Sequence, residues 1–207
     1  MARSANNGPG GVAGWQSSLD YMESETPAVG NFAGADNADQ LEFYGTYERT
    51  NDFEYPDGAY AIMSWWDYGH WITQQGKRIP VANPFQGNAG NAAAFLMAQN
   101  ESEAGDALEV VSETDSDAQT RYVMVDWKMA TANAGFGNQR WGKFFAPSAF
   151  LSDVSQSTYY RQIRALAQTE QGLSLSGRYF TVQKQAYYET MAVRLYRYHG
   201  SAASTTN

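Results

Sequence analysis

The stretch AIMSWWDYGHWITQQG, residues 61–76, limits the possible folds of this chain more than any other. Ala59 to Ser64 is a short apolar run with Gly58 on one side and two adjacent tryptophans on the other. A run of that length between turn signals predicts a buried strand. It passes without a spacer into Trp65-Trp66-Asp67-Tyr68-Gly69, after which Gly69 or His70 to Gln75 predicts a helix closed by Gly76. The bend between strand and helix then falls at the carboxyl end of a strand, where open α/β sheets bind their ligands. Gly69 would permit the tight turn.

The rest of the chain supplies partners for this strand. Trp15, Leu19 and Met22 recur at helical spacing ahead of a Thr26-Pro27 stop. RIPVANPF (78–85) predicts a short second strand or extended segment. GNAGNAAAFLMAQNESEAGDALE (87–109) is alanine-rich and helical, with asparagine available as a cap, and RYVMVDWKM (121–129) is the clearest strand. Residues 131–150 form a glycine-studded loop with aromatics, and two helical segments follow in SQSTYYRQIRALAQ (155–168) and QAYYETMAVRLYRYHG (185–200). Alternating strands and helices predict a mixed α/β fold, rich in helix, with a small, mainly parallel sheet flanked by helices. The expected organisation is a flexible lead-in over 1–12, one domain over 13–200 and a disordered tail over 201–207. Residues 28–58, with strand-like LEFYGTYE at their centre, read as a peripheral insertion.

Composition then excludes whole classes of function. The 207 residues suffice for one sizeable core, and 43% are hydrophobic, which is globular. A net charge of -8 argues against nucleic acid as a partner and against docking on an anionic membrane through a basic patch. The only lysines are Lys77, Lys128, Lys143 and Lys184. An acidic, lysine-poor surface suits adaptation to high salt, although an acidic mesophilic protein has the same balance. There is no cysteine and only two histidines, so disulfides, thiol nucleophiles and cysteine- or histidine-rich metal sites are not expected. No run of about 18 apolar residues spans a bilayer.

Two indole N–H donors beside one carboxylate acceptor have a specific complement. A hydroxyl donates once and accepts through its lone pairs, so Trp65, Trp66 and Asp67 together saturate one alcohol while the indole faces pack a neighbouring methyl. Such a site rejects an analogue that lacks the hydroxyl, because its own polar groups would be stranded. The trio therefore reads as a pocket for a Ser or Thr side chain. The plainer alternative makes both tryptophans core residues and Asp67 a helix N-cap.

The pentapeptide Trp65 to Gly69 resembles the WWDYG signature of the catalytic subunit of oligosaccharyltransferases, which carry out asparagine-linked glycosylation. The flanks agree. SLDYMESETP is similar to the helix that precedes this motif in the family, and GHWITQQGKRIPVANPFQGNAGNAAAFLMAQNESEA to the segment that follows it. RYVMVDWKMA and YYETMAVRLYRYHG resemble a later strand and helix of the same domain in archaeal members, so the likeness spans about 13–200. Acidity and arginine over lysine point to a haloarchaeal member.

The resemblance implies a soluble C-terminal domain outside the membrane, on the extracellular face of the cell membrane. There Trp65, Trp66 and Asp67 contact the Ser or Thr of an acceptor Asn-X-Ser/Thr sequon, and Tyr68 and Gly69 shape the turn. It also implies a dolichol-linked oligosaccharide donor and a divalent metal, Mn or Mg, both held by a membrane region absent here. No catalytic residue and no metal ligand is then expected in this chain, which alone would be inactive. A second family motif, with Asp and Lys three residues apart, matches poorly. Asp126 precedes Lys128 and Met129 too closely, Arg140 stands where the aspartate of a Lys143-Phe144 version belongs, and Pro147, Ser148 and Phe150 stand where the methyl-contacting residue would fall. Lys143 is the candidate retained. Asn100-Glu101-Ser102 is itself a sequon, which makes Asn100 a candidate glycosylation site. Two other classes stay open: an extracellular carbohydrate-binding or surface-layer module, and a glycoside hydrolase using Asp67 with Asp126 or Glu54 with Asp57.

Overall fold

The computed structural model describes residues 14–27, 29, 59–114, 119–131 and 142–201. The lead-in, most of the 28–58 segment, Arg140, and Glu54 with Asp57 lie outside them. In chain order the elements are α1 (Gln16–Glu25), β1 (Tyr60–Met63), a 3-10 turn (Trp66–Tyr68), α2 (Gly69–Gln74), β2 (Ile79–Pro80), α3 (Ala89–Met97), α4 (Glu101–Thr114) and β3 (Gln119–Val123). There follow a second 3-10 turn (Pro147–Phe150), α5 (Gln156–Tyr159), β4 (Tyr160–Thr169), β5 (Gly172–Gln183), α6 (Gln185–Glu189) and α7 (Met191–Tyr198). Contacts divide the described residues into two units, one within Met1–Ala92 and Ala107–Met124, the other within Ala93–Asp106 and Val125–Asn207.

The first unit is built on a parallel sheet in the order β2-β1-β3. β1 is central and every one of its residues is buried, as expected of a parallel strand covered on both faces. Burying Ile62 or Met63 alone contributes roughly 1.5–3 kcal/mol. The pairing of β1 with β3 slips between Ala61 and Ile62, so that Ala61 faces Thr120 but Ile62 faces Tyr122, leaving Arg121 as an extra residue in β3. α1 buries Leu19 and Met22 on the face that also carries Trp15. It stops at Thr26, which turns extended ahead of Pro27. Arg78, only 4% exposed, holds that stop. Its Nη2 donates to the carbonyls of Glu23 (3.1 Å) and Thr26 (2.7 Å), and its Nε to Thr26 Oγ1 and Tyr60 Oη, both at 2.9 Å. A cation among helix-terminal carbonyls is favoured by the helix dipole.

In the second unit Phe144 is wholly buried among Tyr187, Tyr159 and Tyr160, with ring centroids at 4.7, 5.2 and 6.0 Å. Tyr187 Oη donates to the carbonyl of Ala130. Burial raises the Tyr159, Tyr160 and Tyr187 phenols above their usual value.

The mixed fold with a small parallel sheet is as the sequence predicts, with local differences. The segment 155–168 is not a helix beyond α5. It becomes strand β4, which pairs antiparallel with β5 in a separate two-stranded sheet. Its sequence mixes helix formers with apolar residues, and β4 is exposed along most of its length, so no buried face leaves a period to read. The expected helix over 87–109 is two helices, divided where Asn100 caps α4. The expected helix over 185–200 breaks at Thr190, which is extended. The strand expected over 121–129 ends at Val123, and Asp126 then accepts from the Met129 N–H at 2.9 Å in a turn.

Candidate functional site

The motif begins two residues after β1 ends. Ser64 Oγ donates to the Met124 carbonyl at 2.8 Å and the Met124 N–H to the Met63 carbonyl at 2.9 Å, which ties this exit to the strand beside it. Trp65 stays extended, and the chain then closes into the 3-10 turn through Tyr68 N–H to the Trp65 carbonyl at 3.0 Å. In a β2-β1-β3 order the chain crosses from one side of β1 to the other, so the motif lies at the carboxyl edge of the strand where the topology switches.

Each motif residue has a distinct place. Trp65 is 2% exposed and its ring lies 6.0 Å from that of Trp66, tilted by 54°. Trp66 and Asp67 are half-buried. The Nε1 of Trp66 is a buried donor with no acceptor, and Asp67 Oδ1 is a second buried polar atom in the same turn. Tyr68 is buried, stacked on Trp15 at 4.2 Å and tilted against Trp71 at 5.3 Å. Asp67 caps neither helix. The cap positions are Trp65 for the 3-10 turn and Tyr68 for α2, and neither has a side-chain cap bond. Gly69 has ordinary right-handed angles (φ -55°), so the turn itself needs no glycine. What needs it is space, because an added Cβ would lie 2.7 Å from the Ala82 carbonyl oxygen.

The remaining candidates belong to other segments of the chain. Lys143 is half-buried in the second unit, and its N–H donates to the Lys128 carbonyl at 2.7 Å, which brings it beside the turn headed by Asp126. Phe144, its neighbour, is the centre of the aromatic core. Pro147 is buried, Ser148 Oγ donates to the Phe145 carbonyl at 2.7 Å, and Phe150 is partly exposed. Asn100 is exposed at the start of α4 within a reciprocal capping box. Its Oδ1 accepts from the Glu103 N–H (2.9 Å), its Nδ2 donates to Glu103 Oε1 (2.8 Å), and the Gln99 N–H donates to Glu103 Oε2 (2.8 Å). Among the described residues no three His, Asp or Glu side chains converge to hold a metal ion. Beyond β2 the extended segment expected over 78–85 gives way to a loop in which Gln86 and Asn88 adopt left-handed angles. The asparagine and glycine in NPFQGN were its one available signal.

A parallel sheet that delivers an indole pair and a carboxylate to its switch point defines an α/β domain with a candidate ligand site at its carboxyl edge. Residues 12–130 match the family model of the AglB core-like domain, and the chain belongs to that family. It is 46% identical to the dolichyl-monophosphooligosaccharide–protein glycotransferase AglB of Haloferax volcanii over 97% of its own length and 18% of that protein. That relative agrees with a salt-adapted composition. Two solved structures of an Archaeoglobus fulgidus oligosaccharyltransferase are similar, each over 92% of this chain. One is tethered to an acceptor peptide containing the NVT sequon (TM-score 0.63, 26% identity, 22% of that chain), and one is a complex with Zn and sulfate (0.62, 27%, 24%). The chain thus spans about a fifth of the length of the curated relatives it matches. It is a domain of the oligosaccharyltransferase type, and no helix among the described residues is long and apolar enough to cross a membrane.

Proposed function

We propose that this chain is the acceptor-recognition domain of an oligosaccharyltransferase, and that Trp66 and Asp67, backed by Trp65, bind the hydroxyl of the Ser or Thr in an Asn-X-Ser/Thr sequon. The observation that carries this is the buried Trp66 Nε1 without an acceptor. A buried donor left unmade costs on the order of 1–3 kcal/mol, which an incoming hydroxyl oxygen recovers. The hydroxyl's own proton is directed to the Asp67 carboxylate. Tyr68, packed on Trp15 and Trp71, holds the turn that aims both groups, Gly69 lets it close against the chain leaving β2, and Lys143 is a further candidate contact.

In this role the domain orients the acceptor and performs no bond-making step, so the chain alone does not transfer a glycan. The glycan would come from a dolichol-linked donor at the membrane region of the full-length enzyme. Any divalent metal, Mn or Mg, is held there too, and the domain 13–200 faces the cell exterior. Membership of a transferase family favours this reading over a hydrolase or a surface-layer module, and Asp126 already spends one carboxylate oxygen on its own turn.

Trp66→Phe keeps a ring and removes only the N–H, while Asp67→Asn keeps the shape and removes the charge. In the full-length enzyme each is expected to lower transfer to a sequon peptide by about a hundredfold or more. Unchanged transfer in both variants would refute the pocket.

A further inference from the structure

We propose that Phe85 is a specificity-determining contact for the acceptor chain: with His70 it forms an apolar corner that receives a large aliphatic or aromatic side chain about two residues after the sequon Ser or Thr, the residue two before it being the acceptor asparagine. This rests on the reading of Trp66 and Asp67 given above.

Residues 82–88 follow β2, and β2 runs parallel to β1. The loop therefore leaves the sheet at the same carboxyl edge as the motif. Phe85 at its tip is 87% exposed. A single exposed ring is unremarkable on a protein surface. What sets this one apart is how firmly the chain holds it out. Asn83 Oδ1 accepts from the N–H groups of Phe85 (2.9 Å) and Gly87 (3.2 Å). Two backbone bonds close the loop, Gln86 N–H to the Asn83 carbonyl at 2.9 Å and Asn83 N–H to the Gly87 carbonyl at 3.1 Å. Gln86 and Asn88 both adopt left-handed angles, φ 65° and 57°. Non-glycine residues held there cost energy, and such strain gathers where a side chain must be presented in one orientation.

The loop is also packed on the motif. A Cβ on Gly69 would meet Ala82 O at 2.7 Å, Pro84 Cδ at 3.0 Å and Asn83 Cα at 3.1 Å, so the last motif residue and the base of the loop share one close contact. The next residue, His70, is exposed and sets its ring edge-on to Phe85, with centroids 6.1 Å apart and planes at 89°. Two perpendicular rings make a two-walled corner, a shape suited to a flat or branched apolar side chain. His70 lies four residues beyond Trp66, roughly 6–8 Å of helical rise. An extended acceptor advances about 3.3 Å per residue, which sets an offset of about two positions.

The test uses the full-length enzyme and two labelled peptides with the same sequon, one flanked by phenylalanine or leucine and one by glycine. The unaltered enzyme is expected to prefer the apolar-flanked peptide. Phe85→Ala is expected to lower kcat/KM for that peptide about tenfold and to bring the ratio between the peptides close to one, whereas Phe85→Tyr restores the preference. Thermal unfolding confirms that both variants fold. No preference in the unaltered enzyme, or a ratio unmoved by Phe85→Ala, overturns the proposal. Trp66→Phe separates the two ideas: loss of transfer to both peptides supports the hydroxyl pocket whatever Phe85 does, and continued transfer to both is a failure of that pocket instead.

Discussion

Gly69 and Ala82 meet backbone to backbone, with room for a hydrogen on Gly69 but none for a methyl group. This contact locks the helix that follows the tryptophan pair against the chain leaving β2.

Gly69→Ala sets two effects against each other. Alanine at a helical position gains up to about 1 kcal/mol in propensity. The new methyl meets a carbonyl oxygen rather than a flexible side chain, and forced overpacking of that kind costs about 1–3 kcal/mol. The clash is expected to win, with a net loss on the order of 1–2 kcal/mol in chemical or thermal unfolding. A variant more stable than the parent would show that the loop yields without cost.

Arg78 makes a different kind of prediction, because its side chain is buried and its guanidinium donates to the acceptors that close α1. Arg78→Met keeps much of the volume but strands the carbonyls of Glu23 and Thr26 at the end of α1. A loss on the order of 3 kcal/mol is expected, with α1 the first element to lose amide protection in hydrogen exchange. Arg78→Lys recovers only part of this, since an ammonium cannot reproduce the fork. Full stability in Arg78→Lys would assign the effect to charge alone.

The sheet and its motif were legible because both faces of β1 are buried, which forces an uninterrupted apolar run, and because the tryptophan pair ends that run abruptly. The buried face of α1 was legible from Trp15, Leu19 and Met22. The β4–β5 ribbon was not. Leu166 faces Leu175, and with Leu173 they remain 60–71% exposed, so neighbouring burial imprints no alternation on the sequence. Only the pairing between strands decides their form, and a single sequence does not display it. At the site, the donor and acceptor types could be read from residue identity. The roles of Gly69 and Phe85 could not, because both depend on what the chain places beside them from another segment.

Acid should weaken the pair between Glu101 and Arg194, which joins the start of α4 to α7. The hydrogen bond from Arg194 holds the Glu101 carboxyl below its ordinary 4.5. A depressed carboxylate contributes stability that is present above the unfolded value and lost as pH falls through the folded one. Helical signal is therefore expected to decline below about pH 4.5, and Glu101→Gln should remove that part of the acid dependence. Identical acid profiles for the two proteins would exclude the pair as its source.

The extra residue in β3 has a consequence for how this domain tolerates change. A bulge rotates and bends the strand pair beyond it, and here what lies beyond is the exit of β1 into Trp65. The direction in which Trp66 and Asp67 face is then set by a count of residues in β3, not by which residues they are. Most β3 side chains are exposed and open to replacement. Deleting one position there, even an exposed one, would shift the phase of the pair and turn the tryptophans away, so the site is guarded by chain length where it is indifferent to chemistry.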